Sequence, residues 1–245
     1  MTLRDGALPA SPGTARRMAI AVVAAVLALS GCSGSDSPST DGKSPDEVMQ
    51  AAKKLLDDTT GVELSLSTDD EPSDGDYLAS AEGTITTEPA FEGKVSGRVS
   101  GIPASDIDVV AVDGDVWVKI PITGWTKFDP AKFCAPDPST LLDPDSGVSS
   151  VLTEATGLEA GDSERGGADN DEILTPYTGS VPGDAIRAIL PCAQGDSFDA
   201  TFRIDGDGYL RSAELTGEFF SGTDDITYTI DVQQYDVDKD ISAPQ

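Results

Sequence analysis

Histidine is absent from all 245 residues. That removes the commonest general base and the commonest metal ligand, and it makes a Ser-His-Asp arrangement impossible. Neither Ser-x-x-Lys nor Gly-x-Ser-x-Gly occurs, so two further serine-nucleophile signatures are missing. Positive charge is scarce: 16 Lys and Arg face 44 Asp and Glu, for a net charge of −28. A surface that acidic repels nucleic acid and anionic headgroups, which excludes a nucleic-acid partner and suits a body held off an anionic membrane. With 44 acids, chance carboxylate pairs abound, so a glycosidase-like pair carries no weight. The chain is expected not to be an enzyme, with a hydrolase as the minor rival. Neither a cofactor nor a metal is expected. Asp205-Gly206-Asp207-Gly208 starts like a calcium loop, but Tyr209 follows at the next odd position and Thr216, not Glu, stands at the twelfth. It reads as a hairpin turn. No apolar run is long enough to span a bilayer, which takes ~20 residues.

The longest such run, Met18 to Leu29, follows Arg16 and Arg17. A positive n-region and a short apolar h-region make a secretory signal. Thr14-Ala15-Arg16-Arg17-Met18 fits a twin-arginine route poorly. The end of the run, Leu29-Ser30-Gly31-Cys32, resembles the lipobox of bacterial lipoproteins. That resemblance implies a diacylglyceryl group on the Cys32 thiol, cleavage before Cys32, and a further acyl chain on the freed amine. An ordinary signal that happens to contain a cysteine is the alternative. Two or more acyl chains hold stably where one does not. The mature protein is thus expected on the outer, extracytoplasmic side of the cell membrane, lipid-anchored rather than spanning. Losing residues 1–31, which carry Arg4, Arg16 and Arg17 against Asp5, takes the net charge from −28 to −30. Cys134 and Cys192 then remain. Each has one possible partner in an oxidising compartment, so a disulfide is expected, with two buried free thiols as the alternative.

Residues 1–31 thus read as signal and 32–43 as an acylated, flexible tether rich in Ser, Gly and Asp. Residues 44–240 read as one α+β domain and 241–245 as a tail. Ser44, Pro45 and Glu47 mark a capped helix start, with Val48, Ala51, Ala52, Leu55 and Leu56 as its apolar stripe and Gly61 as its stop. From Val62 the period becomes two. Phe91, Val95 and Val99 share a strand face with Gly93 and Gly97. Glycines there leave room for a ligand chain, or let the sheet bend or another backbone approach. The Asp113-Gly114 turn sets a hairpin with Ala111 opposite Val116, Val109 opposite Val118 and Ile107 opposite Ile120. The other face pairs Val110 with Trp117 and Asp108 with Lys119. A Pro- and Gly-rich stretch from Pro121 to Asp145 holds Trp125, Phe128, Phe133 and Cys134; these aromatics line an entrance or pack under a long loop. Two short helices follow, around Val148–Ala155 and Pro182–Leu190, the latter with Ala185, Ile186 and Ile189 on one side. Alternating strands return with Phe198, Ala200, Phe202 and Ile204. The order is a helix, about five strands, helical inserts and about five more strands, an α+β layer arrangement.

The opening helix, the Asp113–Val118 hairpin, Trp125, Phe128 and the stretch Asp137-Pro138-Ser139-Thr140-Leu141-Leu142-Asp143-Pro144-Asp145-Ser146-Gly147 resemble the mycobacterial LppX/LprG (LppX_LprAFG) lipoproteins. The resemblance implies a strongly curved antiparallel half-barrel with helices packed on its concave face around an apolar cavity. It implies a carrier of acylated lipids or glycolipids across the cell envelope, in some members beside a membrane exporter. The cavity lining expected here is Phe91, Gly93, Val95, Gly97, Val99, Ile107, Val109, Ala111, Val116, Val118, Ile120, Ile186 and Ile189. The competing reading is an envelope scaffold or adhesion lipoprotein with a filled core.

Overall fold

The structure is a computed structural model that describes residue 40 and residues 42–72, 75–167, 170–221 and 224–245. The expected signal, the expected lipobox with Cys32 and most of the expected tether lie outside the described residues. Helix α1 spans Pro45–Asp58. It starts where the sequence puts it, because Ser44 and Glu47 satisfy each other's backbone: the Ser44 amide donates to Glu47 Oε2 at 2.8 Å, and the Glu47 amide donates to Ser44 Oγ at 3.4 Å. Val48, Met49, Ala52 and Leu56 are its buried residues, so Met49 enters the core while Ala51 and Leu55 lie at its margin. The expected stop at Gly61 is two residues late. The helix ends at Thr59, whose backbone is extended, and Gly61 opens the first strand. A Cβ on Gly61 would lie 2.6 Å from the Val237 carbonyl oxygen and 2.8 Å from that of Ile85; glycine serves here for close backbone approach rather than for helix termination.

Twelve strands form one antiparallel sheet: β1 Gly61–Ser67, β2 Tyr77–Thr86, β3 Ala90–Val99, β4 Ile102–Val112, β5 Asp115–Ile120, β6 Gly124–Phe128, β7 Thr156–Ala160, β8 Glu164–Gly166, β9 Glu172–Pro182, β10 Ser197–Asp205, β11 Leu210–Gly217 and β12 Ile226–Tyr235. Their order is β6-β5-β4-β3-β2-β1-β12-β11-β10-β9-β7, with β8 beside β9. The sheet is open and curved. Two meanders meet where the first strand pairs with the last. Hairpin β4–β5 has the expected register, with Ala111 opposite Val116, Val109 opposite Val118 and Val110 opposite Trp117. Asp113 and Gly114 both have positive φ, 56° and 77°, as a primed two-residue turn requires. Lys119 reaches Asp108 at 3.3 Å. The pairing runs one apolar row across five strands: Val62, Ile85, Phe91, Ala111 and Val116. Register shifts within β2–β3, β3–β4 and β10–β11 bend the strands and raise their twist.

The chain leaves the sheet at edge strand β6 and re-enters it at the opposite edge, β7. Residues 129–155 make that passage through 3-10 turns at Pro130–Phe133 and Pro138–Thr140 and helix α2, Ser150–Glu154. The second turn lies against β2, β3 and β4, and α2 lies against α1, β9 and helix α3, Gly183–Ile189. Leu142, Val151, Leu152 and Ala155 of this crossover are buried in the same core as the apolar sheet face and α1. The crossover is therefore a strap over the sheet's apolar face.

Candidate functional site

The strap is held at two points. The first is a polar clasp on α1. Lys53 Nζ donates to the Pro144 carbonyl at 2.6 Å and pairs with Asp57 at 2.8 Å, and Ser149 Oγ donates to the other oxygen of Asp57 at 2.5 Å. The spacing of Lys53 and Asp57 on one helix face aims both groups at the strap. Just ahead of the clasped residues, Asp143 folds the strap on itself by accepting from the Asp145 amide, the Ser146 amide and the Ser146 hydroxyl at 3.0, 2.8 and 2.8 Å. The Ser146 hydroxyl and amide lead in pulling its carboxyl below the ordinary aspartate value. The turn is thus built around the charged form. The second point is covalent. Cys134, at the start of the strap, is disulfide-bonded to Cys192, just beyond α3, with Cα atoms 5.5 Å apart. The bond links the segment leaving edge β6 to the connection between β9 and β10, near the other edge of the open sheet.

Beneath the strap, Phe91, Val109, Ala111, Val116 and Ile186 are buried, and Val95, Val118 and Ile189 are partly buried against the same cluster. Ile107 is half-buried. Val99 and Ile120, on the same faces, are exposed at their strand ends. The two glycines open no space above the sheet. A Cβ on Gly93 would lie 2.6 Å from the Phe91 ring and 2.9 Å from the Gly83 Cα, and it would collide with the Glu82 carbonyl. The Phe91 ring covers the facing Gly83–Gly93 pair. A Cβ on Gly97 would collide with the Tyr77 carbonyl and lie 3.1 Å from the Leu78 Cα, because the β2 backbone bulges there. Both positions are glycine so that two strands can meet closely, the second of the two sequence readings.

The aromatic trio separates. Phe128 and Phe133 stack with ring centroids 4.9 Å apart at the root of the strap. Trp125 faces the other side of the sheet, under Lys119 Nζ at 5.6 Å. Sequence reasoning missed the clasp and the large floor residues Phe198 and Phe202. The first had no local signal; the second alternated visibly in β10 and were read only as a strand. A cleft of 220 Å³ between α1 and α2, lined by Asp46, Met49, Gln50, Leu152, Thr153 and Ala155, reaches this layer. A larger trough of 490 Å³ lies on the polar face of β7 and β9 to β12, among Glu159, Thr178, Asp199, Thr201, Glu214 and Thr216.

An open, curved antiparallel sheet whose own crossover is strapped over its apolar face defines a class of single-sheet proteins with a covered apolar floor. Crystal structures of two other proteins are similar in fold. LprF from Mycobacterium bovis superposes with a TM-score of 0.63 at 15% identity, over 82% of this chain and 96% of that one. The lipoprotein LppX from Mycobacterium tuberculosis gives 0.58 at 17%, over 81% and 98%. The chain belongs to the LppX_LprAFG lipoprotein family, whose profile matches residues 44–243. Among its relatives, the lipoarabinomannan carrier protein LprG of Mycolicibacterium hassiacum is 30% identical over 174 residues, 70% of this chain and 73% of that protein. The protein of the same name from Mycobacterium tuberculosis is 30% identical over 217 residues, 82% and 85% respectively.

Proposed function

We propose that this protein is a lipid-anchored envelope lipoprotein that binds acylated lipids or glycolipids under its strap and carries them across the cell envelope, with a membrane exporter as its partner. The observation that carries the reading is family membership: this chain shares a family with proteins named lipoarabinomannan carriers. The strap supports it. An apolar floor closed by short elements and by one polar clasp can take up acyl chains if α1 and α2 part along their cleft. Each CH₂ moved out of water then gains ~0.8 kcal/mol, so no charged site is needed to hold the chains. In this reading Phe91, Val95, Val109, Ala111, Val116, Val118 and Ile186 line the tunnel floor.

Mass spectrometry of organic extracts from purified, non-acylated protein tests the carrier. Acylated species in near-stoichiometric amount are the expected result; lipid-free extracts from protein made in a lipid-replete host refute it. A filled-core scaffold is the second reading, and the burial of Phe198, Phe202, Met49 and Leu152 within this layer favours it. Lipid-free extracts would select it. Anchoring is tested separately. Cys32→Ala should abolish incorporation of a labelled fatty-acid analogue, since no other thiol stands at the cleavage site. Label kept by the variant would overturn the assignment of Cys32.

A further inference from the structure

Five large hydrophobic side chains are exposed among the described residues, and four of them sit on two neighbouring hairpin tips: Val99 at 38%, Ile102 at 67%, Ile120 at 40% and Ile122 at 94%. Val99 and Ile102 flank the β3–β4 turn, and Ile120 and Ile122 the β5–β6 turn. The strands are adjacent and antiparallel, so both tips lie at one end of the sheet. The surrounding sequence has an unusual charge. Residues 93–105 and 116–128 carry Lys94, Arg98, Lys119 and Lys127 and no acid of their own, although Lys119 and Lys127 pair with Asp108 and Asp115 of the neighbouring sequence at 3.3 and 2.6 Å. With 44 acids in 245 residues, 26 residues at the average density would carry four or five.

The groups are layered. Ile122 is outermost. Behind it Lys119 lies opposite Trp125, with the ammonium 5.6 Å from the ring centre, and behind that Trp117 lies opposite Lys127 at 5.5 Å. Aliphatic tips followed by indole and ammonium groups repeat the order of a bilayer, from hydrocarbon to headgroup. The anchored end of the chain lies at the same end of the sheet. Asp46 and Met49 of α1 line a cleft with Leu152 and Ala155, just ahead of β7, whose Thr156 pairs with Ser180. The ladders carry that end of β9 across the sheet to the end of β3 and β5 where the tips lie. Eleven residues separate Cys32 from Ser44, a reach of at most ~40 Å. The acidic β1–β2 connection, with Asp69, Asp70, Glu71 and Asp76, shares this end. It meets the β3–β4 turn, where Asp76 accepts from the Gly101 amide at 3.2 Å, and stands about four strand spacings, ~19 Å, from β6, beyond the ~8 Å over which physiological salt screens charge, so the β5–β6 tip is the less acidic of the two.

We propose that the β3–β4 and β5–β6 hairpin tips form a bilayer-docking edge, with Ile102 and Ile122 entering the acyl boundary and Trp125 and Lys119 at headgroup level. The proposal rests on the acyl-anchor reading for how the domain is held beside the bilayer, and not on the identity of any ligand. The test uses mature protein from an acylating host, carrying Trp117→Phe so that Trp125 alone reports. It is reconstituted in phosphatidylcholine vesicles containing a minor fraction of phosphatidylglycerol and lipids brominated near the headgroup end of the acyl chain. Trp125 emission should be quenched. Ile102→Asp with Ile122→Asp, both at exposed positions, should reduce quenching about fivefold with melting unchanged. The mass of the N-terminal peptide reads acylation independently. Quenching without acylation keeps the docking edge and refutes the anchor. Acylated protein with unquenched Trp125 overturns the docking edge, as does crosslinking of the tips to an envelope protein in place of quenching. Loss of both signals overturns both.

Discussion

Replacing Cys134 and Cys192 together by serine is expected to cost about 4 kcal/mol of folding stability in the chain-entropy model, or roughly 10 °C in Tm for a domain this size. The bond closes a loop with a sequence separation of 58. That loop contains α2, β7, β8, β9 and α3, so the unfolded chain loses much freedom when it is closed. In the folded state the bond fixes the root of the strap to the far half of the sheet. Urea unfolding of the oxidised parent, the reduced parent and the double variant measures the effect. The reduced parent and the variant should agree, and both should unfold at lower urea than the oxidised protein. A difference under about 1 kcal/mol between oxidised and reduced protein would mean that the bond constrains little. Alkylation of exported, unreduced protein adds a direct check, since neither thiol should react.

Gly97→Trp is expected to unfold the domain or cost at least ~3 kcal/mol, and Gly97→Ala alone ~1–3 kcal/mol. The reason is geometric. A Cβ at this position meets the Tyr77 carbonyl and the Leu78 Cα, which are backbone atoms of a paired strand and have no rotamer by which to move aside. The sheet would have to give up its β2–β3 pairing near Leu78 and Gly97. Under the other sequence reading, in which Gly93 and Gly97 leave room for a ligand chain, an indole would fill that room while the fold survived. Thermal melting decides between them. A Gly97→Trp protein that melts like the parent would show that the two strands part without cost, and would restore the tunnel.

The sequence by itself determined what depends on neighbouring residues. Ser44, Pro45 and Glu47 set the start of α1, because capping groups lie within one turn of each other. Asp113 and Gly114 set the β4–β5 register, because a two-residue turn leaves one way to pair its strands. Cys134 and Cys192 were matched by elimination, since setting Cys32 aside as the expected lipidation site leaves a single pair. Alternation placed Phe198, Ala200, Phe202 and Ile204 on one face of β10, and all four are buried. Only the tertiary structure decided the rest. That β1 joins β12, so that two meanders become one open sheet, depends on partners more than 150 residues apart, which carry no local signal. That the Pro-rich stretch is a strap follows from the positions of β6 and β7 at opposite edges. The clasp of Lys53 and Asp57 on Pro144 and Ser149 joins groups about 90 residues apart in sequence. The glycines were legible as missing side chains, but what occupies the vacated space was not. A period of two tells which way a Cβ would point; only the packed neighbours tell whether a ligand, an aromatic ring or another strand's backbone already stands there.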